Sequence, residues 1–234
     1  MQIVVNHLTR MTAPRICLAG IELESSNHIR PVTGPEQPLT RALLREVGGA
    51  LEVGALVDLG DVQPRPSSPE TEDHLLDPTR IESVRTLDGD EYLQLIDAVC
   101  HDSLEEAFGP ALQRREWKYA VDVGQGERSL ACIRAHNIPS LVVDDRYRKL
   151  QLRFNDPEKP AFFSVTDLRF VEADHKTLRQ DLIDDVQGRL LQGTGVRVMF
   201  GLARAFRAAG DDTKRHWLQV NGLCLEDRPV DLAG

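Results

Sequence analysis

The chain has 234 residues, is 41% hydrophobic and 28% charged, and carries a net charge of −9. This is an ordinary globular composition, long enough for one large or two small cores, and it argues against a largely disordered chain. Four scattered cysteines (Cys17, Cys100, Cys132 and Cys224) without paired spacing exclude a written-out zinc ribbon or disulfide framework and fit a reducing compartment. No run reaches the roughly 18 uncharged apolar residues of a membrane span, and Met1–His7 lacks the features of a secretory signal, so a cytoplasmic protein with no membrane partner is expected.

In chain order, strand-like runs lie near residues 2–8, 15–22 and 27–33, followed by a helix-like run near 38–48 and strands near 54–63 and 80–87. Pro38 and Thr40 precede Ala42, Leu43, Leu44 and Val47, and Gly48-Gly49 would end that helix. Gln63 to Pro69 is too rich in proline for a strand and is expected as an exposed loop. Residues 89–118 have helical spacing, with Tyr92, Leu95, Ile96 and Val99 on one face.

The second half repeats the order, with strands near 128–134, 147–154 and 161–171, a helix near 175–191, and strands near 196–203 and 216–224. Leu150, Leu152 and Phe154 alternate with Lys149, Gln151 and Arg153 before Asn155-Asp156-Pro157, the signature of a strand pair. Asp174 is placed to cap a helix carrying Leu178, Leu182, Ile183, Val186 and Leu190, and Gly193 to stop it. Three strands, a helix and two strands, written twice, is the order of an OB barrel, which commonly presents one strand face and its loops to oligonucleotides or oligosaccharides. The expected fold is mainly β with a few helices. It comprises two OB-fold-like five-stranded barrels in tandem, residues 1–87 and 127–234, joined by an acidic helical connector over 88–126.

Charge is unevenly spread. Residues 68–106 hold twelve acidic side chains against two arginines, a net of −10, while 1–67 carry −1 and 107–234 carry +2. An acidic block of this kind is either a solvated surface or a competitor for a basic groove.

Several strings occur in order along the chain: Leu8-Thr9-Arg10-Met11, His28-Ile29-Arg30-Pro31-Val32, Glu72-Asp73-His74, Val165-Thr166-Asp167-Leu168, Gly201-Leu202-Ala203-Arg204 and Trp217-Leu218-Gln219-Val220-Asn221-Gly222. Together they resemble the bacterial and archaeal dual OB-containing domain family over nearly the whole chain. The resemblance implies nucleic-acid binding and an association with conflict or defence systems; it supplies no catalytic residues to carry over.

The candidate binding surface begins with Lys149, Gln151 and Arg153, which fall on one strand face about 7 Å apart. Arg204, Arg207, Arg215 and Trp217 add a second basic concentration with an aromatic platform, although Trp217 would equally serve as a core cap. Arg10 and Arg30 fall near strand ends, where Arg30 would grip phosphate or pair internally with Glu72 or Asp73. Asp167 and Asn221-Gly222 are expected to be hydrogen-bonding residues that shape the barrel. No GxSxG, HExxH or GxxxxGK[ST] motif occurs, the two GxG strings lack the strand-to-helix context of a dinucleotide site, and no cofactor is expected.

The leading expectation is therefore a non-catalytic sensor or adaptor that binds single-stranded or structured RNA or DNA. One alternative is a metal-dependent nucleic-acid-processing enzyme using Glu72, Asp73 and His74 as ligands in a polar loop. Another is a protein-interaction module whose acidic helix docks a basic partner.

Overall fold

Apolar residues on both faces of the first run require a strand covered from two sides, and β1 (Gln2–Arg10) buries every residue from Ile3 to Thr9. In the computed structural model, which describes residues 1–144, 146–154, 160–208 and 210–232, β1 pairs antiparallel with β2 (Ile16–Glu22) and with β4 (Ala55–Asp58). Beyond β2 lies β3 (His28–Val32), followed by a hairpin of β5 (Gln63–Pro64) and β6 (Asp73–Leu75), with β6 parallel to β3. On the other edge β7 (Glu82–Thr86) completes the order β5-β6-β3-β2-β1-β4-β7.

The helix α1 (Gly89–Val99) starts at an Asp88–Glu91 capping box and drives Tyr92 and Ile96 into the first core. After it come β8 (Cys100–His101), α2 (Leu104–Phe108), β9 (Gln113–Arg115) and β10 (Lys118–Asp122). The second half contains β11 (Leu130–Arg134), β12 (Ser140–Asp144), β13 (Lys149–Phe154), β14 (Ala161–Ser164), α3 (Gln180–Leu191), β15 (Val196–Leu202), β16 (Phe206–Arg207) and β17 (Lys214–Leu225). One sheet runs β8-β11-β15-β17-β10-β9, with β16 also on β17; the other is the three-stranded β12-β13-β14. The fold is mainly β, with curled, half-barrel sheets.

Several expectations change in detail. The run near 38–48 forms two 3-10 turns, Arg41–Leu43 and Arg45–Val47, with Leu44 extended between them. Leu44 is buried, and the backbone groups on either side of it bond to Leu51 instead of continuing a helix. The proline-rich stretch expected as a loop contributes β5, at a sheet edge where Pro64 needs no ladder donor.

Of residues 89–118, only α1 and α2 are α-helical, and β8 and β9 join the second sheet. Asp174 does not cap α3. It closes a tight turn by accepting from the Lys176 and Thr177 amides, and α3 begins at Gln180. The strand expected over 161–171 stops at Ser164, because Asp167 instead caps a 3-10 turn over Leu168–Phe170. The Asn155-Asp156-Pro157 turn lies outside the described residues.

The two cores share a wall. The first cluster, built on β1, β2 and β4, also takes in Cys132, Leu168, Met199 and Cys224 from the second half. Strand β1 passes over β17 so closely that a Cβ on Gly222 would lie 3.2 Å from the Asn6 carbonyl oxygen. The parallel pairing of β8 with β11 brings the Cys100 and Cys132 sulfurs to 2.8 Å as free thiols, a proximity invisible in their spacing.

Candidate nucleic-acid interface

Alternation along β13 sends Leu150 and Leu152 into the second core and turns Lys149, Gln151 and Arg153 outward. On that outer face Asp144 stands opposite Lys149, and Val142 and Ser164 flank Gln151. Phe162 stands opposite Arg153, whose guanidinium lies 5.6 Å from the phenyl centroid. At the other end of the strand, Tyr147 lies 5.2 Å from the Arg146 guanidinium and 6.0 Å from the Lys149 ammonium.

The hairpin joining β9 to β10 extends this face, because the Phe162 amide donates to the Trp117 carbonyl at 2.9 Å. Trp117 is 55% exposed. Lys118 beside it reaches to 6.0 Å from the ring of Trp217, the half-buried tryptophan on the neighbouring β17. Among the described residues, none of Lys118, Arg146, Arg148, Lys149 and Arg153 takes part in an ion pair. The result is an outward strip in which cations without an ion pair among the described residues stand beside aromatic rings. Such a strip follows a phosphate backbone with its charges and stacks bases on its rings.

The other candidate residues are placed differently. Arg207 is exposed on β16, opposite Lys214. Arg215 is held by Asp122 at 2.7 Å and by Asp211. Hydrogen bonding to Asp211 raises its pKa, an effect that burial opposes. Arg10 donates to the carbonyls of His175 (2.9 Å) and Val165 (3.3 Å), and burial lowers its pKa. Arg30 is 5% exposed and donates from Nε to Asp73 at 2.6 Å, so the internal pair weighed from the sequence is formed.

Asp73 also accepts from Arg204 at 2.5 Å, and Glu70 lies 3.2 Å from both Arg204 and the His216 ring. Burial would lower the Arg204 pKa, but its hydrogen bond to Asp73 and the charges of Asp73 and Glu70 raise it. Arg10 and Arg204 thus join the halves, and Arg30 is tied to Arg204 through the shared Asp73. Asp97 does the same from α1, gripping Arg197 through two hydrogen bonds of 2.8 and 2.9 Å that hold its carboxyl below the usual carboxylate range.

Glu72, Asp73 and His74 do not form a polar metal-binding loop. Glu72 and Asp73 are both buried, and successive residues entering β6 point to opposite faces. The Glu72 carboxyl accepts from the Ser129 amide (2.7 Å), the Ser129 hydroxyl (2.8 Å) and the Leu130 amide (3.0 Å), while Asp73 serves Arg30 and Arg204. Among the described residues no group of three His, Cys, Asp or Glu converges as a metal site.

A third of the acidic block is therefore structural, since four of its twelve members, Glu70, Glu72, Asp73 and Asp97, bind groups of the second half. Asp167 accepts from Arg169 and from the Leu223 amide. A Cβ on Gly201 would lie 2.0 Å from the Asn221 amide nitrogen, so Asn221 packs on a glycine. Both Asp167 and Asn221 have the hydrogen-bonding, barrel-shaping place expected of them.

The family model for the dual OB-containing domain matches residues 1–223. The chain belongs to this dual-OB family. A comparison with curated proteins finds no match. OB folds as a class commonly present a strand face and loops to oligonucleotides or oligosaccharides. Trp117, Lys118 and Tyr147 had not been singled out. The adjacent Trp117-Lys118 beside Arg114-Arg115-Glu116 was a usable signal, hidden by assigning that stretch to a helix. No helix among the described residues is long and apolar enough to cross a membrane.

Proposed function

We propose that this dual-OB chain binds single-stranded or structured RNA or DNA across the outer face of its second half. Lys118, Lys149 and Arg153 meet the phosphates, and Trp117, Phe162 and Trp217 meet the bases. The observation that carries the reading is the run of cation–ring contacts from Tyr147 to Trp217, whose cations form no ion pair among the described residues. We extend the proposal to a cytoplasmic sensor or adaptor that performs no turnover of its own, in the conflict or defence setting that the family resemblance implies.

The test is a filter-binding series on single-stranded and duplex RNA and DNA at several salt concentrations. Replacing Lys149 and Arg153 by Glu is expected to weaken single-strand binding 10- to 100-fold. It should also flatten the dependence of log affinity on log salt by about 1.4, the equivalent of two single-strand phosphate contacts. Unchanged affinity and slope would remove this face from the function.

A further inference from the structure

Between the two halves, on the side reached by the outer row of β17, lies a cleft of about 460 Å³. Among the described residues its lining includes Arg10, Arg15, Arg30 and Arg204 and no Asp or Glu, in a chain whose net charge is −9. Arg10 and Arg15 have no carboxylate partner among the described residues. The carboxylates that pair with Arg30 and Arg204, Asp73 and Glu70, do not line the cleft, so the side chains facing it present positive charge suited to an anion.

Two polar side chains lining this cleft are more than nine-tenths buried and lack partners. His7 is 1% exposed with neither ring nitrogen hydrogen-bonded, and Arg30 is 5% exposed with Nη2 free. Buried donors of this kind are costly when unmet. The Arg30 guanidinium is nonetheless fixed, because Asp73 binds its Nε and also holds Arg204. Asp73 thus fixes two guanidinium groups on the same wall, Arg30 with its Nη2 unpartnered and Arg204 held by Asp73 and Glu70, so that a phosphate would meet groups already oriented.

The rest of the lining differs in character. Ile16, Pro31, Val32 and Leu39 make an apolar side, while Gln219 and Asn221 bring amides from β17. A cleft of this size, largely apolar with a few convergent polar groups, fits a compact ligand with one charged end and one flat apolar part.

We propose that the cleft between the two halves binds a phosphorylated nucleotide unit, with Arg15, Arg30 and Arg204 on the phosphate and the Ile16–Leu39 side against the base. The unit is either a free nucleotide or the phosphorylated end of a strand. The outer row of β17 leads from Trp217 through Gln219 to Asn221, which connects the strip to the cleft and makes a strand end sterically natural there. The inference stands on the cleft residues alone and does not require the outer face to bind.

The experiment is calorimetric titration of the full chain with AMP, adenosine and inorganic phosphate, alongside short oligonucleotides that do or do not carry a terminal phosphate. The expected result is at least a tenfold gain from the phosphate in AMP over adenosine, in phosphorylated over unphosphorylated ends, or in both. Arg15→Gln and Arg204→Gln should each reduce that gain about tenfold while circular dichroism shows an unchanged fold. A gain for AMP identifies a free nucleotide, and a gain confined to oligonucleotides identifies a strand end.

No gain in either series overturns the proposal, as does a gain that survives both substitutions. Inorganic phosphate binding as tightly as the phosphorylated ligands overturns the nucleotide assignment. Binding of unphosphorylated strands by the unaltered chain tests the outer face separately, so the two readings fail independently. Arg15 is exposed, so its variant remains informative if a deeper substitution such as His7→Gln does not fold.

Discussion

The cations of the inter-half seam and those of the β13 face are chemically alike but occupied differently. At the seam, Arg30 and Arg204 share Asp73, Arg10 is bound to backbone carbonyls, and Arg197 grips Asp97. On the outer face, Lys118, Lys149 and Arg153 have aromatic rings for neighbours and no carboxylate partner among the described residues. A basic residue type thus says little about ligand binding until its partner is known. In this chain Glu70, Asp73 and Asp97, three of the twelve acidic residues of the block, pair with seam arginines, whereas no described carboxylate forms an ion pair with Lys118, Lys149 or Arg153.

The sharpest way to break this contrast is to remove the carboxylate at its centre. Asp73→Ala leaves Arg30 buried and unpaired, and is expected to cost about 3–5 kcal/mol of stability in chemical denaturation. A loss below about 1 kcal/mol would mean that the seam arginines are not bound up in the fold.

On the outer face the expected effects are smaller and fall on binding. Trp117→Ala should weaken single-strand affinity by ~1–3 kcal/mol, the worth of one stacked base. Because Trp117 is exposed, stability should stay within about 0.5 kcal/mol. Trp217→Ala, at a half-buried site, should lower both quantities. Equal behaviour of the two tryptophans would blur the distinction between strip and core.

The third prediction concerns pH. Burial, with the charges of His28 and Arg30, holds the His7 pKa well below its ordinary value, and burial with the charges of Arg128 and His101 lowers His28 to about 4. The unfolded chain therefore takes up protons before the folded one does. Stability present above pH ~6.5 is lost as pH falls toward 4, by at most about 1.4 kcal/mol per pH unit for each histidine. Denaturation curves at pH 7, 5.5 and 4.5 should show this decline, and His28→Gln should flatten it. A flat profile over that window would mean that these imidazoles protonate freely in the folded chain.

Periodicity made the local elements legible. The alternation of β13 placed Lys149, Gln151 and Arg153 outward, and the spacing of Leu182, Ile183, Val186 and Leu190 placed α3 against the second core. Legibility failed where a segment's hydrogen bonds go to distant partners. Leu44 is extended because Leu51 takes the neighbouring backbone groups, β5 and β6 exist because β3 offers an edge, and β8 forms against β11. The Trp117-Lys118 turn was missed because a helical pattern was carried past Val99, where α1 ends at an extended Cys100.

The sequence by itself determined the β-rich twofold architecture, the family and the outward row on β13, because period-two alternation and ordered motifs are local properties of the chain. Only the tertiary structure decided which arginines are neutralised. Arg30 and Asp73 are 43 residues apart, Arg204 and Asp73 131 apart, and Arg197 and Asp97 100 apart, distances over which spacing carries no register. A charge is available or consumed according to what folding brings within about 3–4 Å of it. That is set by the pairing of β3 with β6 for Arg30 and by the packing of the two halves for Arg204 and Arg197, which no local pattern encodes.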